Sequence, residues 1–311
     1  MSRNLKVAIV QWSAVHLDIQ ASVEKALKGI DEAADQGAQL IVFGETWFSG
    51  YPSWLDYSPE VAFWDHPPVK KAFSKMLDNC LTKNGSEIQT LQAKARERQV
   101  SLVFGANERD DEKAKGTIYN ALFFINEQGE IVNHHRKLVP TYSEKMLYGG
   151  GDGHGLVNST LSDAKVTGLV CWEHWMPLSR QALHDTGEEI HIAVWPKVHE
   201  MHQVASRQYA FEGRCFVLAA GQMFQAKDFP EGIKLPDDLD PSTWVLNGGS
   251  CIIAPNGKYI VEPQWDEEKI IYAEIDLDQV KEESMTLDVT GHYQRDDVFS
   301  LEVNRSRKSN S

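Results

Sequence analysis

The strongest constraint on the fold of this chain is a repeated alternation between short apolar runs and helical patterns. Residues 5–12 form an apolar, β-branched run of the kind found in buried strands. Apolar residues then recur at helical spacing over residues 23–34, Gly37 follows, and a second strand-like run covers residues 40–43. The alternation returns over residues 190–220. This pattern predicts an α/β protein with helices packed on its sheets.

Composition is that of a globular protein with a large core. The chain has 311 residues, of which 42% are hydrophobic and 24% are charged. We expect a single domain over residues 1–300, because α/β layers of this length often share one continuous core. The formal net charge of −14 argues against a nucleic-acid partner, since such proteins gain most of their affinity from Lys and Arg on phosphates.

The two ends of the chain lead to simple expectations. Residues 1–6 run directly into an apolar stretch that is too short for a signal-peptide core or a membrane span. We therefore expect a cytoplasmic protein with no membrane partner. Residues 301–311 are too polar to pack and are predicted to form a disordered tail.

Cys171 is the cysteine whose position suggests chemistry. The chain has four cysteines without a CxxC pair, which predicts free thiols: Cys80, Cys171, Cys215 and Cys251. Cys171 directly follows the apolar run 166–170, and Pro177 marks the expected start of a helix. A thiol there is expected to face a pocket and to have a lowered pKa, because amide donors at a helix start favour the thiolate. The alternative is a small buried apolar residue.

Glu45 stands directly after another strand-like run. It follows residues 40–44, which have almost no polarity, and a carboxylate placed there is either paired or catalytic because burying it alone is costly. The next segment, residues 47–54, has the Gly and Pro content of a loop but is rich in aromatic residues. Its side chains either cover the end of the sheet or line a substrate pocket.

A third polar segment covers residues 133–141 and is predicted to be extended up to Pro140. Adjacent residues on a strand point to opposite faces, so Arg136 and Lys137 cannot both face one pocket, and one of them is expected to point inward. Glu144 follows Lys137 closely, which allows a second carboxylate at the same site.

Two further motifs are not interpreted as ligand sites. The glycine-rich segment 149–155 lacks the GK[ST] ending of a phosphate loop and is expected to be a tight loop. The pair His199 and His202 lacks the HExxH spacing of a metalloprotease, so we expect solvated histidines there and no metal.

Covalent hydrolysis of a carbon–nitrogen bond requires a nucleophile, a proton acceptor and a positive group facing the developing charge. Cys171, Glu45 and Lys137 could supply one of each, although their order in the chain does not by itself bring them together.

Three motifs resemble the catalytic motifs of the nitrilase superfamily, in the family's order. They are Phe43-Gly-Glu45, His135-Arg-Lys137-Leu-Val-Pro-Thr141 with Glu144, and Cys171-Trp-Glu-His-Trp-Met-Pro-Leu178. The third motif resembles the nitrilase branch, whereas the related amidases usually read Cys-Tyr-Asp followed by Pro-Glu. Gly291-His-Tyr-x-Arg295 is also similar to a motif of that branch, although Asp296 stands where the family usually has proline.

The resemblance implies a four-layer α-β-β-α sandwich that self-associates as a dimer or a larger homo-oligomer, with no metal and no organic cofactor. It also implies a small-molecule nitrile as substrate, hydrolysed to the carboxylic acid and ammonia. Glu45 would be the general base, Cys171 the nucleophile and Lys137 the cation that stabilises negative charge. Glu144 would orient Lys137 or share its proton. The residues expected to shape the substrate pocket are Trp47, Tyr51, Trp54, Trp172 and His174.

Two rival functions stay open on the sequence alone. An amidase or carbamoyl hydrolase on the same scaffold would have the same three catalytic groups and a different pocket. A catalytically silent assembly module is the rival from another class, and the presence of Glu45, Lys137 and Cys171 argues against it.

Overall fold

The computed structural model describes residues 3–110 and 116–308. In these residues, two β-sheets pack face to face and helices cover both outer faces. The order of layers is helices, first sheet, second sheet, helices. The expected four-layer α-β-β-α sandwich is confirmed.

The first sheet has the strand order β13-β1-β2-β3-β4-β5 in the described chain. Its strands are β1 (Asn4–Gln11), β2 (Leu40–Phe48), β3 (Ser101–Arg109), β4 (Ile118–Ile125), β5 (Ile131–Arg136) and β13 (Lys269–Asp276). Strands β1, β2 and β3 are parallel, and the hairpins β3–β4 and β4–β5 make β5 run in the same direction as β2.

The second sheet has the order β10-β11-β9-β8-β7-β6, with β12 paired to β11. Its strands are β6 (Ser159–Leu161), β7 (Ala164–Val170), β8 (Ile190–Val194), β9 (Phe216–Ala220), β10 (Met223–Gln225), β11 (Trp244–Ile253) and β12 (Tyr259–Trp265). Its central strands β7, β8 and β9 are parallel.

Helices form the outer layers and several connections. They are α1 (Ile19–Asp35), α2 (Trp54–Tyr57), α3 (Pro67–Asp78), α4 (Ser86–Arg98), α5 (Pro177–His184), α6 (Glu200–Gly213) and α7 (Asp278–Ser284). Helices α1 and α4 pack on the first sheet, and α5 and α6 pack on the second. In the described part of the chain, no helix has both the length and the apolar character needed to cross a bilayer.

Strand β1 is buried on both faces, which explains why its residues are nearly all apolar. Val7 and Ile9 belong to the core between the two sheets, while Ala8 and Val10 belong to the core under α1 and α4. Successive side chains on a strand point to opposite faces, so a strand buried on both faces needs an unbroken apolar run. The apolar run therefore predicts burial in the middle of the sandwich.

Strand β2 is longer than the sequence predicts, because it continues past residue 43 to Phe48. Its pairing with β3 shifts register between Phe43 and Phe48, and this irregular stretch contains Glu45. A β-carbon at Gly105 on the neighbouring strand would lie 2.4 Å from the backbone oxygen of Gly44 and 2.7 Å from Cα of Glu45. Glycine at position 105 thus allows the bulge, and a bulge redirects the side chain that it carries.

The polar tail differs from the prediction of disorder as far as the structure describes it. Arg307 donates from Nη2 to the backbone oxygen of His134 at 2.7 Å, and the amide of Lys308 donates to Asp152 at 2.9 Å. Arg305 donates to the backbone oxygen of Leu156 at 2.8 Å. A polar segment with no core can still be held by hydrogen bonds to polar groups of the body. Residues 309–311 of the predicted tail lie outside the described residues.

Candidate active site

Three strand ends meet at one edge of the sandwich. Strands β2 and β5 run in the same direction in the first sheet, and β7 of the second sheet packs against β4, which lies between them in the strand order. Glu45 lies in the bulge of β2, Lys137 follows the last residue of β5, and Cys171 follows the last residue of β7. Open crevices at the carboxyl ends of strands are where α/β proteins place their sites. The structure therefore brings the three sequence-predicted residues together.

Cys171 begins a 3₁₀ helix, Cys171–Trp175, directly after β7. Its backbone has φ of +53°, in the left-handed region that a residue with a β-carbon rarely adopts. The amide of Trp172 works to lower the pKa of the thiol. Helix α5 starts at Pro177, as the sequence predicts. The strand-to-turn position of the thiol is confirmed.

Lys137 points inward and Arg136 points to the other face, as strand alternation requires. Arg136 donates to both carboxylate oxygens of Glu108, at 2.5 and 2.9 Å, and stacks on the ring of Tyr119 at 3.9 Å. Lys137 is 1% exposed. Of the two candidate cations, Lys137 is thus the one that faces the site.

The ammonium of Lys137 lies between two buried carboxylates. Its Nζ donates to Glu45 Oε1 at 3.1 Å and to Glu144 at 3.0 Å (Oε1) and 2.8 Å (Oε2). Burial by itself would lower the pKa of Lys137, but Cys171, Glu45 and Glu144 outweigh it and raise the pKa above its ordinary value. A charged ammonium is therefore held where negative charge can be stabilised.

Glu45 is fully buried, and only one of its two carboxylate oxygens is hydrogen-bonded to described residues. Its Oε1 accepts from Asn120 Nδ2 at 2.6 Å and from Lys137, whereas Oε2 has no partner among the described residues. Burial raises the pKa of Glu45 to about 7; the nearby Lys137 opposes the rise and Glu144 adds to it. The predicted rise toward the working range of a general base is confirmed.

Glu144 is fixed by its own loop and by an aromatic hydroxyl. It lies in the 3₁₀ helix Tyr142–Met146, and its Oε2 accepts from the backbone amide of Thr141 at 2.9 Å. Its Oε1 accepts from the hydroxyl of Tyr51 at 2.8 Å. With these bonds and the two from Lys137, both of its oxygens are occupied, so the geometry suits it to orienting Lys137.

The expectation of an exposed Cys171 with a lowered pKa is wrong. Cys171 is 4% exposed, and burial followed by the charge of Glu45 raises the pKa of its thiol well above the usual range, although Lys137 opposes this. The strand-to-helix junction alone favours a thiolate, but the sequence does not reveal the depth of burial or the two facing carboxylates. The resting thiol keeps its proton, so a base must remove it.

Glu173 is a site residue that the sequence reasoning missed. Its carboxylate accepts from the amides of Val170 and Leu138, both at 2.8 Å, and lies 2.9 Å from Nε2 of His135. These amides flank Cys171 and Lys137 in the chain, so one carboxylate ties the two segments together. The available signal was an acidic residue two positions after Cys171, between Trp172 and His174. Asn120 was missed as well, and its signal was one amide in the apolar strand β4.

The aromatic residues that are predicted to line the substrate pocket lie in different parts of the structure. Trp47 belongs to the core under α1 and α4, where its Nε1 donates to the backbone oxygen of Trp12 at 2.7 Å. Trp54 is fully buried in an apolar cluster with Ile233. Trp47 therefore corrects the expectation of substrate contact, because it packs under the helices on the outer side of the first sheet. For Trp54 and Trp172, contact with the substrate stays a prediction. Trp172 is 55% exposed.

Tyr51 is the predicted aromatic that reaches the catalytic groups. It lines a cleft of about 170 Å³ together with Tyr57, Lys197, His199, His202 and Leu246, among others. His202 is buried and stacks on Trp195 at 4.3 Å, so the expectation of a solvated histidine is wrong for it. Within residues 3–110 and 116–308, no group of three or more His, Cys, Asp or Glu side chains is arranged to hold a metal ion.

His174 lies behind the nucleophile instead of in this cleft. Its Nδ1 lies 2.6 Å from the backbone oxygen of Cys171, and its ring stacks on Trp195. His174 is 1% exposed. The expectation that it shapes the substrate pocket is therefore corrected to a contact with the backbone of the nucleophile.

A two-sheet sandwich that gathers a thiol, an ammonium and two carboxylates at its strand ends defines a class of hydrolases. The chain belongs to the carbon–nitrogen hydrolase family, whose model matches residues 6–283. The resemblance to the nitrilase superfamily is thereby confirmed.

Named relatives cover nearly the whole chain. An aliphatic nitrilase of Rhodococcus rhodochrous is 35% identical over 312 residues, covering 96% of this chain and 79% of the relative. A bifunctional nitrilase/nitrile hydratase of Lupinus angustifolius is 33% identical, covering 97% and 86%. The crystal structure of Saccharomyces cerevisiae Nit3, a member of branch 10 of the nitrilase superfamily, matches with a TM-score of 0.70 at 21% identity, covering 94% and 97%. This last likeness concerns the fold.

Proposed function

We propose that this protein is a nitrilase, which hydrolyses an organic nitrile to the carboxylic acid and ammonia. The observation that carries the proposal is the buried group of Cys171, Lys137, Glu45 and Glu144, with Glu45 poised near pKa 7 beside a thiol that keeps its proton. The sequence relatives named as nitrilases support the choice of a nitrile as substrate.

In the first step, Glu45 removes the proton of the Cys171 thiol, and the sulfur attacks the nitrile carbon. A carbon–sulfur bond forms, one π bond of the nitrile breaks, and the nitrogen receives the proton that Glu45 took, which gives a thioimidate. Lys137 and the amide of Trp172 stabilise the negative charge that develops on the nitrogen.

Water then completes the reaction in two additions. Glu45 removes a proton from the first water, the water oxygen adds to the thioimidate carbon, and the nitrogen receives that proton. The added hydroxyl then passes its proton to the same nitrogen as the carbon–oxygen double bond forms, and the carbon–nitrogen bond breaks to release ammonia. A thioacyl-enzyme remains. A second water adds in the same way, the carbon–sulfur bond breaks, and the acid is released as Cys171 regains its proton.

Glu144 acts through Lys137 in this scheme. Its two hydrogen bonds to Nζ hold the ammonium against Glu45, and its remaining bonds to Tyr51 and Thr141 hold Glu144 itself. Because hydrogen bonds to charged groups are strong and directional, this arrangement fixes where positive charge meets the substrate.

The same four groups would also cleave an amide, so the competing function is an amidase. If the carbon–sulfur bond of the first water adduct broke before the carbon–nitrogen bond, the product of a nitrile would be an amide. The bifunctional name of the Lupinus angustifolius relative refers to such a second outcome in that protein.

A substrate comparison tests the proposal. The purified protein is incubated with a panel of nitriles and a matched panel of amides, and ammonia, acid and amide are measured. We expect ammonia and acid from nitriles and little turnover of amides. Cys171→Ala should abolish turnover, while the matched variant Cys80→Ala, at another buried thiol, should keep it. Turnover of amides alone, or of neither panel, would reject the nitrilase function.

We also propose that the protein self-associates through the outer face of α5 and α6. This face exposes large apolar side chains that water contacts unfavourably: Leu178, Val204 and Phe211 are 69%, 46% and 49% exposed. Light scattering on the eluting protein tests this, and a mass equal to one chain would contradict it. Val204→Glu and Phe211→Glu should shift the mass toward one chain.

A further inference from the structure

A row of buried polar side chains leads from the backbone of Cys171 into the second sheet. Nδ1 of His174 lies 2.6 Å from the Cys171 carbonyl oxygen, and its Nε2 lies 3.0 Å from Nε2 of His191. Beyond it, Nδ1 of His191 lies 2.8 Å from the hydroxyl of Thr167 and 3.2 Å from Glu188 Oε2. None of these side chains is more than 4% exposed. The reaction described above uses none of the groups beyond Cys171.

Near Cys171, the hydrogen bonds of the row have a defined direction from donor to acceptor. A carbonyl oxygen can only accept, so Nδ1 of His174 must carry a proton and donate it. Burial, followed by the neighbouring His191, holds the pKa of His174 well below its usual value. The neutral ring therefore offers Nε2 as an acceptor, and His191 must donate from its own Nε2. One tautomer of each ring satisfies both contacts.

Glu188 anchors the far end. It accepts from the hydroxyl of Tyr209 at 2.8 Å, lies 2.7 Å from Nδ1 of His184, and contacts the hydroxyl of Thr167. Burial works to raise the pKa of Glu188, but the hydrogen bond with His184 and the contact with His191 outweigh it and hold the pKa well below the usual range. An ionised carboxylate with several donors is a rigid anchor.

At the near end of the row, His174 contacts the peptide unit between Cys171 and Trp172, where the backbone is strained. Cys171 has a left-handed φ of +53°, which persists only where the surroundings hold it. The carbonyl of Cys171 and the amide of Trp172 belong to the same planar peptide unit. That amide works to lower the pKa of the Cys171 thiol. Fixing the carbonyl through His174 therefore fixes the direction of the amide next to the thiol.

We propose that His174 and His191, anchored by Glu188, are positioning residues that orient the peptide between Cys171 and Trp172. Their effect is to keep the Trp172 amide directed at the sulfur and at the charge that develops next to it. The inference rests on the proposed function only in taking Cys171 as the nucleophile.

Alkylation of Cys171 by iodoacetamide tests the inference without any nitrile. His174→Leu removes the bond to the carbonyl, so we expect the rate of alkylation and kcat to fall by about tenfold to a hundredfold, with little change in KM. His174→Asn keeps a donor near the same carbonyl and should restore much of both rates. His191→Leu should act in the same direction as His174→Leu.

His184→Leu is the matched control. His184 contacts the same Glu188 and is equally buried, but it is not in the row that leads to Cys171. It should lower the melting temperature and reduce the alkylation rate much less than His174→Leu does. An unchanged rate in His174→Leu, or an equal loss in His184→Leu, would overturn the inference.

Nitrogen NMR on histidine-labelled protein provides a second measurement that does not need a variant to fold. We expect His174 as the neutral tautomer with its proton on Nδ1, and a proton on Nε2 instead would overturn the inference. Failure of the proposed function is a separate result. If the parent protein turned over no nitrile while the variants still showed the expected alkylation pattern, the nitrilase function would fail and the positioning role would stand.

Discussion

The hydroxyl of Tyr51 donates to Oε1 of Glu144 at 2.8 Å, and the ring of the same tyrosine lines the neighbouring cleft. One side chain thus belongs both to the walls of the cleft and to the group of charges around Lys137. A ligand that moves this ring also moves the support of Glu144. This contact links the wall of the cleft to the hydrogen bonds around Lys137.

Tyr51→Phe should lower activity while keeping the shape of the cleft. The phenylalanine ring retains the packing, but Glu144 loses one of its hydrogen bonds, and a bond to a charged group is worth about 1.5–3 kcal/mol. We expect kcat to fall by about tenfold or more. Steady-state kinetics of Tyr51→Phe beside Tyr57→Phe, a second tyrosine of the same cleft, measure it; equal effects of the two would contradict the role of the hydroxyl.

Lys137→Arg should give a folded protein with activity lowered about a hundredfold or more. The compact ammonium is 1% exposed and lies within 3.1 Å of carboxylate oxygens on two sides, where a broad planar guanidinium does not fit. Circular dichroism checks folding and ammonia release checks turnover. Lys145→Arg, at an exposed lysine nearby, is the control. Near-normal turnover in Lys137→Arg or Lys137→Ala would remove Lys137 from the site.

The rate should depend on pH through Glu45. Its pKa of about 7 means that the carboxylate is ionised, and able to act as a base, above this pH and protonated below it. We expect kcat/KM to rise as pH increases through about 7 and to level off above it. A profile that stays flat from pH 5 to pH 9 would be inconsistent with Glu45 as the base.

Intact-mass measurement should separate Glu45 from Glu144. Glu45→Gln cannot take the proton of the Cys171 thiol, so after mixing with a nitrile we expect neither turnover nor an acyl adduct. Glu144→Gln leaves the base in place, so Cys171 should still be alkylated by iodoacetamide even if turnover is slow. A trapped acyl adduct on Glu45→Gln, with none on Glu144→Gln, would reverse the two roles.

Glu108 should control stability in acid. Burial works to raise the pKa of Glu108, but His134 and Arg136 outweigh it and lower the pKa from 4.5 to about 2. Its contribution to the free energy of unfolding is therefore present above pH 4.5 and is lost as pH falls through about 2. The size is about 3 kcal/mol.

Denaturant unfolding from pH 7 to pH 2 measures this contribution. Glu108→Gln should be less stable than the parent at pH 7, and the difference should shrink as the pH falls. Glu97→Gln, at an exposed glutamate, should show no such convergence. A gap between parent and Glu108→Gln that stays constant down to pH 2 would refute the assignment.

Local sequence patterns predicted helices and strands well, because the spacing of apolar residues within a short segment determines which structure can bury them. Helical spacing over residues 23–34 and the following Gly37 match α1, which ends at Asp35. The unbroken apolar run of β1 reflects burial on both faces. The extension of β2 to Phe48 escaped prediction, because the bulge at Glu45 depends on the absence of a side chain at Gly105, a residue on another strand.

The sequence by itself determined the class of fold, and it singled out Glu45, Lys137, Glu144 and Cys171, since strand patterns and the three motifs are properties of short segments. Their contact was decided only by tertiary structure. Glu45 and Lys137 are 92 positions apart. They meet because β2 and β5 run in the same direction and because Asn120, on β4 between them, bonds to both residues.

Tertiary structure also decided the pKa values of the catalytic groups and the locations of the aromatic residues. The pKa values of Cys171 and Glu45 follow from burial and from facing charges, which no local pattern reports. Trp47 and Tyr51 come from the same aromatic segment, yet one packs in the core and the other donates to Glu144, because the chain turns between them. Residue type is local, whereas solvation and the sign of neighbouring charge are set by segments distant in sequence.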